Sequence, residues 1–538
     1  MKNILLTFFI TAMGLGLCSC KELPLQTASY DVVPKPQEVT LNGDGAFRLK
    51  GSTKIAIAND SLATDAALLQ EYIETLTGHR LKITDKTPKS NAIVLSATLE
   101  NGNPEAYKLD ITRDLVEING ATSAGTFYGI QTLRKSIPQA MESNVDFPVA
   151  TISDAPRFGY RGAHFDVSRH FFPTDSVKEF IDMLALHNIN RFHWHLSDDQ
   201  GWRVEIKSRP ELTVKGSTRP GTLIRRTGDY DTIEVSGYFT QDEVRDIIGY
   251  AADRHITVIP EIDLPGHMLA ALASYPELGC TGGPYDVWCR WGISEDVLCA
   301  GNDSTYAFID DVLGEIADLF PSELIHVGGD ECPKVRWREC PKCQAKIAEL
   351  GLKTDDHYTK EAKLQSYVMA HASDFLASKG KRIIGWDEIL EGGAAPGSVI
   401  MSWRGEKGGI EASKLGHDVI MTPNTYFYFD YYQSEDRDNE PYGIGGFLPL
   451  EKVYSYEPIT EDYTPEQAAH IIGIQANLWT EFIASFAHAQ YMELPRMAAL
   501  SEVQWSSAPK DYEAFFQRLP QMLRHYEANG YNYRPLSD

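Results

Sequence analysis

The chain is short of basic residues. Lys and Arg number 50 against 75 Asp and Glu over 538 residues, a formal charge of -25. Contact with a phosphate backbone demands a basic surface, which argues against a nucleic-acid partner; the acidity itself reads as solubility. Long apolar runs are scarce too. Beyond residue 20 there is no stretch of about 18 apolar residues, so no later segment is expected to span a membrane. Cysteine is sparse: after residue 20 only Cys280, Cys289, Cys299, Cys332, Cys340 and Cys343 occur. Cys340-Pro-Lys-Cys343, with Cys332 nearby, has zinc-like spacing. A structural zinc site takes four ligands, however, usually as two paired knuckles, and only one pair is present. The expectation is disulfides or inert thiols, no metal and no cofactor, with the pairing left open. Hydrophobic residues, at 43%, suffice for real cores, and the length implies two or more units.

Residues 30 to about 150 read as a small α/β unit. Thr53 to Ala58 alternates like a strand, and 61–77 carries Leu68, Leu69, Tyr72, Ile73 and Leu76 on one helical side, with Gly78 as a stop. Strand-like runs follow at 92–96, 107–111 and 116–118, then a second helix at 123–137. No clustered acids, bases or metal ligands occur there. From about Pro156 the texture changes to eight short β-rich runs: 159–166, 189–198, 256–264, 324–331, 382–388, 398–404, 418–423 and 471–479. Helical stretches fit between several of them. Thr174 is expected to cap a helix burying Val177, Phe180, Ile181 and Leu184, and Thr240-Gln241-Asp242-Glu243 is a capping-box pattern. Eight strand–helix repeats imply a (β/α)8 TIM barrel. The expected division is a leader at 1–20, an N-terminal α/β domain at 21–155, a barrel at 156–505 and a C-terminal helical segment at 506–538.

Chemistry in such barrels gathers at the C-terminal strand ends. Here those ends carry Arg169, His195, Asp198, Asp199, Glu261, Asp263, His267, Asp330, Glu331, Trp386, Trp403, Tyr428, Asp430, Trp479 and Glu481. Tryptophan faces pack on the C–H surface of a pyranose, and carboxylates and Arg bind its hydroxyls. One such tryptophan alone would be barrel packing; three at one end point to a closed pocket for one terminal sugar.

The motifs at these ends resemble glycoside hydrolase family 20, the β-N-acetylhexosaminidases. His326-Val327-Gly328-Gly329-Asp330-Glu331 is similar to the family's catalytic signature. Arg161-Gly162 through Ser168-Arg169-His170, the run His193 to Asp199, the run Pro260 to His267, and Gly385-Trp386-Asp387-Glu388 follow the same pattern in order. The resemblance spans about residues 30 to 505. It implies an exo-acting, retaining enzyme whose nucleophile is the substrate's acetamido oxygen. By the same resemblance Glu331 is the general acid and base, with a pKa raised by burial beside Asp330. Asp330 binds the acetamido N–H and Tyr428 its oxygen. Arg169, Asp198 and Glu481 hold the 3- and 4-hydroxyls and Asp430 the 6-hydroxyl. Trp386, Trp403 and Trp479 enclose the ring, and His195, Glu261, Asp263 and His267 support them. Asp199 and Arg161 are structural. Neighbours on a strand point to opposite faces, so the chain must leave its course at Gly328-Gly329 for Asp330 and Glu331 to reach one sugar.

Three rival readings fit part of the pattern: a non-catalytic sugar-binding lipoprotein, a metal hydrolase using His193-x-His195, and a relative releasing disaccharides. The Asp-Glu pair with Tyr428 disfavours the first, the family pattern the second, and the full hydroxyl-binding set the third. At the N-terminus, Lys2, an apolar run at 4–17 and Leu17-Cys18-Ser19-Cys20 resemble a bacterial lipobox with Cys20 as the lipidated residue. That implies export and a lipid anchor in the cell envelope.

Overall fold

A computed structural model of the protein describes residues 23–139 and 143–536. The leader and Cys20 lie outside the described residues. The N-terminal unit is an eight-stranded mixed sheet. Helices Ala63–Thr77 and Ser123–Ser136 bury their apolar sides, and the first ends at Gly78, φ 76°, as its glycine requires.

The eight runs of the second unit become one closed parallel barrel: β1 Tyr160–Asp166, β2 Arg191–His195, β3 Thr257–Leu264, β4 Leu324–Gly328, β5 Arg382–Trp386, β6 Val399–Ser402, β7 Val419–Met421 and β8 Ile471–Leu478. β8 closes on β1 through pairs such as Gly473 with Tyr160. The capping box at Thr240 forms with both of its bonds. Thr174 differs from expectation. It is the first residue of helix Thr174–Leu186, Pro173 holds the cap position, and no side chain caps it.

Side chains alternate along each barrel strand, so the interior is layered. At the bottom, Tyr160, Ile259, Ile384, Val399, Met401 and Ile420 form an apolar plug. Above it sits a polar layer centred on Glu261. The plug closes the barrel from below, so whatever binds must enter and leave at the top.

The two units are fastened by buried polar groups. Arg161, at the start of β1, pairs with Glu105 at 2.6 Å and donates to Asn188 O at 2.8 Å, and its guanidinium lies 4.9 Å from the Trp505 ring. Trp505 donates to Asp154 at 2.9 Å. The final helix, Tyr512–Asn529, returns to the chain's beginning: Arg518 donates to Val32 O at 3.0 Å and pairs with Glu502 at 2.7 Å.

Candidate active site

A cavity of about 670 Å³ opens at the C-terminal mouth of the barrel. Arg169, His267, Asp330, Glu331, Trp386, Trp403, Tyr428, Asp430, Trp479 and Glu481 all line it. Every one was expected from sequence. His195, Glu261, Asp263 and Asp198 lie beneath, fully buried.

The acidic pair is presented by a break in backbone geometry. Gly328 has φ 65°, Gly329 φ 98° and Glu331 φ 44°. A Cβ at Gly328 would stand 1.7 Å from Asp263 Oδ1, while Gly329 N donates to that same oxygen at 3.2 Å. The Asp263 carboxyl thus occupies the space a side chain would need, and β4 stops there. Asp330 and Glu331 consequently face one cavity although they are neighbours. They are not equally buried: the Asp330 side chain is 13% exposed and that of Glu331 37%. The expected burial of Glu331 is therefore corrected. It stands toward the opening of the cavity.

The aromatic wall is held from behind. Trp386 donates its indole N–H to Glu261 at 2.9 Å, and Trp403 donates to Glu388 at 2.9 Å. Tyr428 stacks against Trp403 with centroids 6.0 Å apart and lies 6.4 Å from Trp479. The segment carrying Tyr428 and Asp430 is pinned by the buried Arg496, which donates to the carbonyls of Phe429, Tyr431 and Leu448.

Asp198 is placed differently from the sequence expectation. It does not line the cavity. Its oxygens meet Arg169 at 3.0 Å, His195 at 2.8 Å, His267 at 3.3 Å and the backbone N–H of Asp199 at 2.7 Å. It orients two cavity residues from below because its own lone pairs are used. Arg169, held also by Asp166 at 3.1 Å and Gln200 at 3.1 Å, is the group that faces the opening on that side.

The profile for "Glycosyl hydrolase family 20, catalytic domain" matches residues 158–508, and that for domain 2 of the same family matches residues 29–155. The chain belongs to glycoside hydrolase family 20. This family 20 chain is 42% identical over 535 residues to a beta-hexosaminidase of Porphyromonas gingivalis, a match spanning 97% of this chain and 67% of that one. A beta-hexosaminidase of Vibrio furnissii is 36% identical over 490 residues, spanning 89% and 77%. Among solved structures, the exo beta-N-acetylglucosaminidase of Vibrio harveyi in complex with N-acetylglucosamine superposes with a TM-score of 0.82 at 33% identity, covering 96% of this chain and 80% of that one. A mutant Streptomyces plicatus beta-hexosaminidase in complex with GlcNAc gives 0.80 at 30% identity, covering 94% and 96%.

The electrostatics of this family 20 site alternate in sign. Burial works against the Glu261 carboxylate, but His326, His195 and His193 outweigh it and hold its pKa well below the usual range. Burial also opposes charge on His195, yet Glu261 and Asp198 on its two nitrogens push it up to about 10. His267 follows the same logic: desolvation is overcome by Asp198, Asp199 and Glu331, so it is held well above an ordinary histidine. Its Nε2 lies 3.8 Å from Asp330 and 3.7 Å from Glu331. Asp263 is driven well above the carboxylate range, first by burial and then by Asp330. Asp330 is itself shifted upward, first by burial, with His267 working in the opposite direction.

Sequence assigns no individual role to several further residues at the site. Glu388, behind Trp403, is pushed up to about 9 by burial and then by Asp330 and Asp387. The rim is built by Arg225, Arg226, Trp291, Ile293, Ile444 and Phe482. Arg226 donates to Ile444 O at 2.8 Å, and Trp291 sits 5.9 Å from Phe482. These come from loops far apart in sequence, and only the clustering of Arg225-Arg226 and of Trp288 and Trp291 hinted at them.

Proposed function

We propose that this chain is an exo-acting β-N-acetylhexosaminidase that releases terminal β-linked GlcNAc or GalNAc from oligosaccharides and glycoconjugates with retention of configuration. The observation that carries this reading is at Asp330. Its Oδ1 is buried and without a hydrogen-bond partner among the described residues, beside Tyr428 and a wall of tryptophans. A lone acceptor next to an apolar wall suits an amide N–H attached to a methyl, which is an acetamido group.

Family 20 is an exception to the two-carboxylate rule of retaining glycosidases. Glu331 gives its proton to the glycosidic oxygen as the C1–O bond breaks, and the acetamido oxygen bonds to C1. The oxazolinium ion so formed carries positive charge near its nitrogen, where Asp330 accepts the N–H and offsets that charge. Tyr428 donates to the acetamido oxygen; burial holds its phenol well above the usual range, so it stays protonated. Glu331, now a carboxylate, takes a proton from water as the water attacks C1 and the bond from C1 to the acetamido oxygen breaks, restoring the acetamido group. Asp430 Oδ1 and Glu481 Oε2 are likewise buried and unpartnered, and with Arg169 they make the hydroxyl-binding side. Asp198 acts on that side through Arg169.

Hydrolysis of p-nitrophenyl β-GlcNAc, β-GalNAc and β-glucoside, with and without a thiazoline mimic of the oxazolinium ion, tests the reading. Turnover limited to the N-acetyl sugars and blocked by the thiazoline is the expected result. Comparable cleavage of the glucoside, or no inhibition, would remove the acetamido group from the mechanism.

The chain is further proposed to be exported and lipid-anchored to the cell envelope, on the strength of Lys2, the apolar run at 4–17 and Cys20. Expressed with its leader, it should incorporate labelled fatty acid and partition into detergent, and Cys20→Ala should abolish both. Unchanged labelling of that variant would refute the assignment.

A further inference from the structure

Six cysteines remain unbonded among the described residues. Four of them meet away from the cavity. Cys280 and Cys299 lie in the long connection after β3, and Cys340 and Cys343 in the connection after β4. We propose that Cys280, Cys299, Cys340 and Cys343 bind one structural zinc ion.

The geometry is that of a tetrahedron. All four sulfurs lie within 4.8 Å of one another. Cys280 Sγ is 3.8 Å from Cys343 Sγ, and Cys299 Sγ is 3.7 Å from both Cys340 Sγ and Cys343 Sγ. Four sulfurs bound at about 2.3 Å around zinc are separated by about 3.8 Å. Disulfide formation is pairwise and would bring each sulfur within about 2.05 Å of a single partner. Here Cys299 and Cys343 each have two near neighbours at almost equal distance, which is the signature of a shared centre. An all-thiolate tetrahedron with three of its four cysteines buried selects a soft, tetrahedral ion, and zinc fits without any redox requirement.

The surrounding chain is shaped to bring the two loops together. A Cβ on Gly301 would stand 2.1 Å from the Lys342 carbonyl carbon and 2.4 Å from Cys343 N, so the backbones touch there only because residue 301 is glycine. Trp337 in the second loop donates to Leu298 O in the first at 2.9 Å. Thr305 Oγ1 donates to Cys299 O at 2.9 Å and fixes that ligand's backbone. The remaining cysteines, Cys289 and Cys332, stand outside the cluster. The first of these loops also carries His267 and the Trp291 wall, and the second begins at Asp330-Glu331. The ion would therefore tie one side of the cavity to the acidic pair by a route independent of the barrel.

The test is the metal content of the purified full-length chain, with zinc K-edge X-ray absorption and thiol counting. About one zinc per chain, a shell of four sulfurs at about 2.3 Å, and zinc release on titration of the thiols with a mercurial are expected. Cys299→Ser and Cys343→Ser should lose nearly all of the zinc, whereas Cys289→Ser should keep it. If the serine variants do not fold, the wild-type absorption spectrum and intact mass still decide. Chains lighter by four hydrogens, meaning two disulfides, or zinc-free after reduction and resupply, or loaded with iron instead, would each overturn the assignment.

Discussion

Glu331→Gln should lower kcat/KM by about a thousandfold on a chitobiose-like substrate, whose leaving sugar cannot depart without a proton. General acid catalysis supplies roughly 10²- to 10⁴-fold, and the amide cannot perform it. On a dinitrophenyl glycoside, whose leaving group needs no proton, the loss in kcat/KM should be at least about tenfold smaller. The difference arises because kcat/KM reports bond cleavage, where only the natural leaving group asks for help. Glu331 makes few fixed contacts and is the more exposed member of the pair, so the thermal midpoint should move little. Equal losses on both substrates would mean that Glu331 is not the proton donor.

Gly328→Ala should be nearly as damaging without touching a group that contacts substrate. The added methyl would meet Asp263 Oδ1 at 1.7 Å and Asp263 Cα at 2.8 Å, in a backbone conformation at φ 65° that side chains disfavour. Either Asp263 or the end of β4 must shift, and both set the position of Asp330. A displacement of about 1 Å costs on the order of a hundredfold in kcat. Gly380→Ala is the control. Its φ of 74° imposes similar strain, but nothing lies within 4 Å of the new methyl. It should cost about 1 kcal/mol of stability and leave kcat alone. Full activity in Gly328→Ala would sink the account of how the acidic pair reaches the cavity.

The barrel was legible because each strand is a short apolar run bounded by turn residues, and all eight runs became strands. The cavity residues were legible because barrel chemistry sits at strand ends, which can be counted along the sequence. Depth was harder to read. Asp198 lies one layer below its expected place because three side chains and a backbone N–H compete for its oxygens. Glu331 lies higher than expected because the turn at Gly328-Gly329 swings it outward. Neither effect is local in sequence. The four-cysteine cluster is hidden in the sequence for a related reason. Its ligands are one close pair and two widely separated single residues, and only the close approach at Gly301 unites them. Thr174 shows the smaller limit, since a proline just before a threonine can take the cap position itself.

The contact of the last helix with Val32 bears on the order in which the molecule can be made. Arg518 and Val32 are 486 residues apart, and the carbonyl they share is buried. Chains are synthesised from the N-terminus, and early domains generally fold as they emerge. The first domain here can form its sheet early. It cannot finish its surface until the final helix has been translated, because Val32 and Lys135 wait for Arg518 and His525 as partners. Until then that patch of the first domain stays exposed, as a seam that closes only when helix Tyr512–Asn529 reaches it.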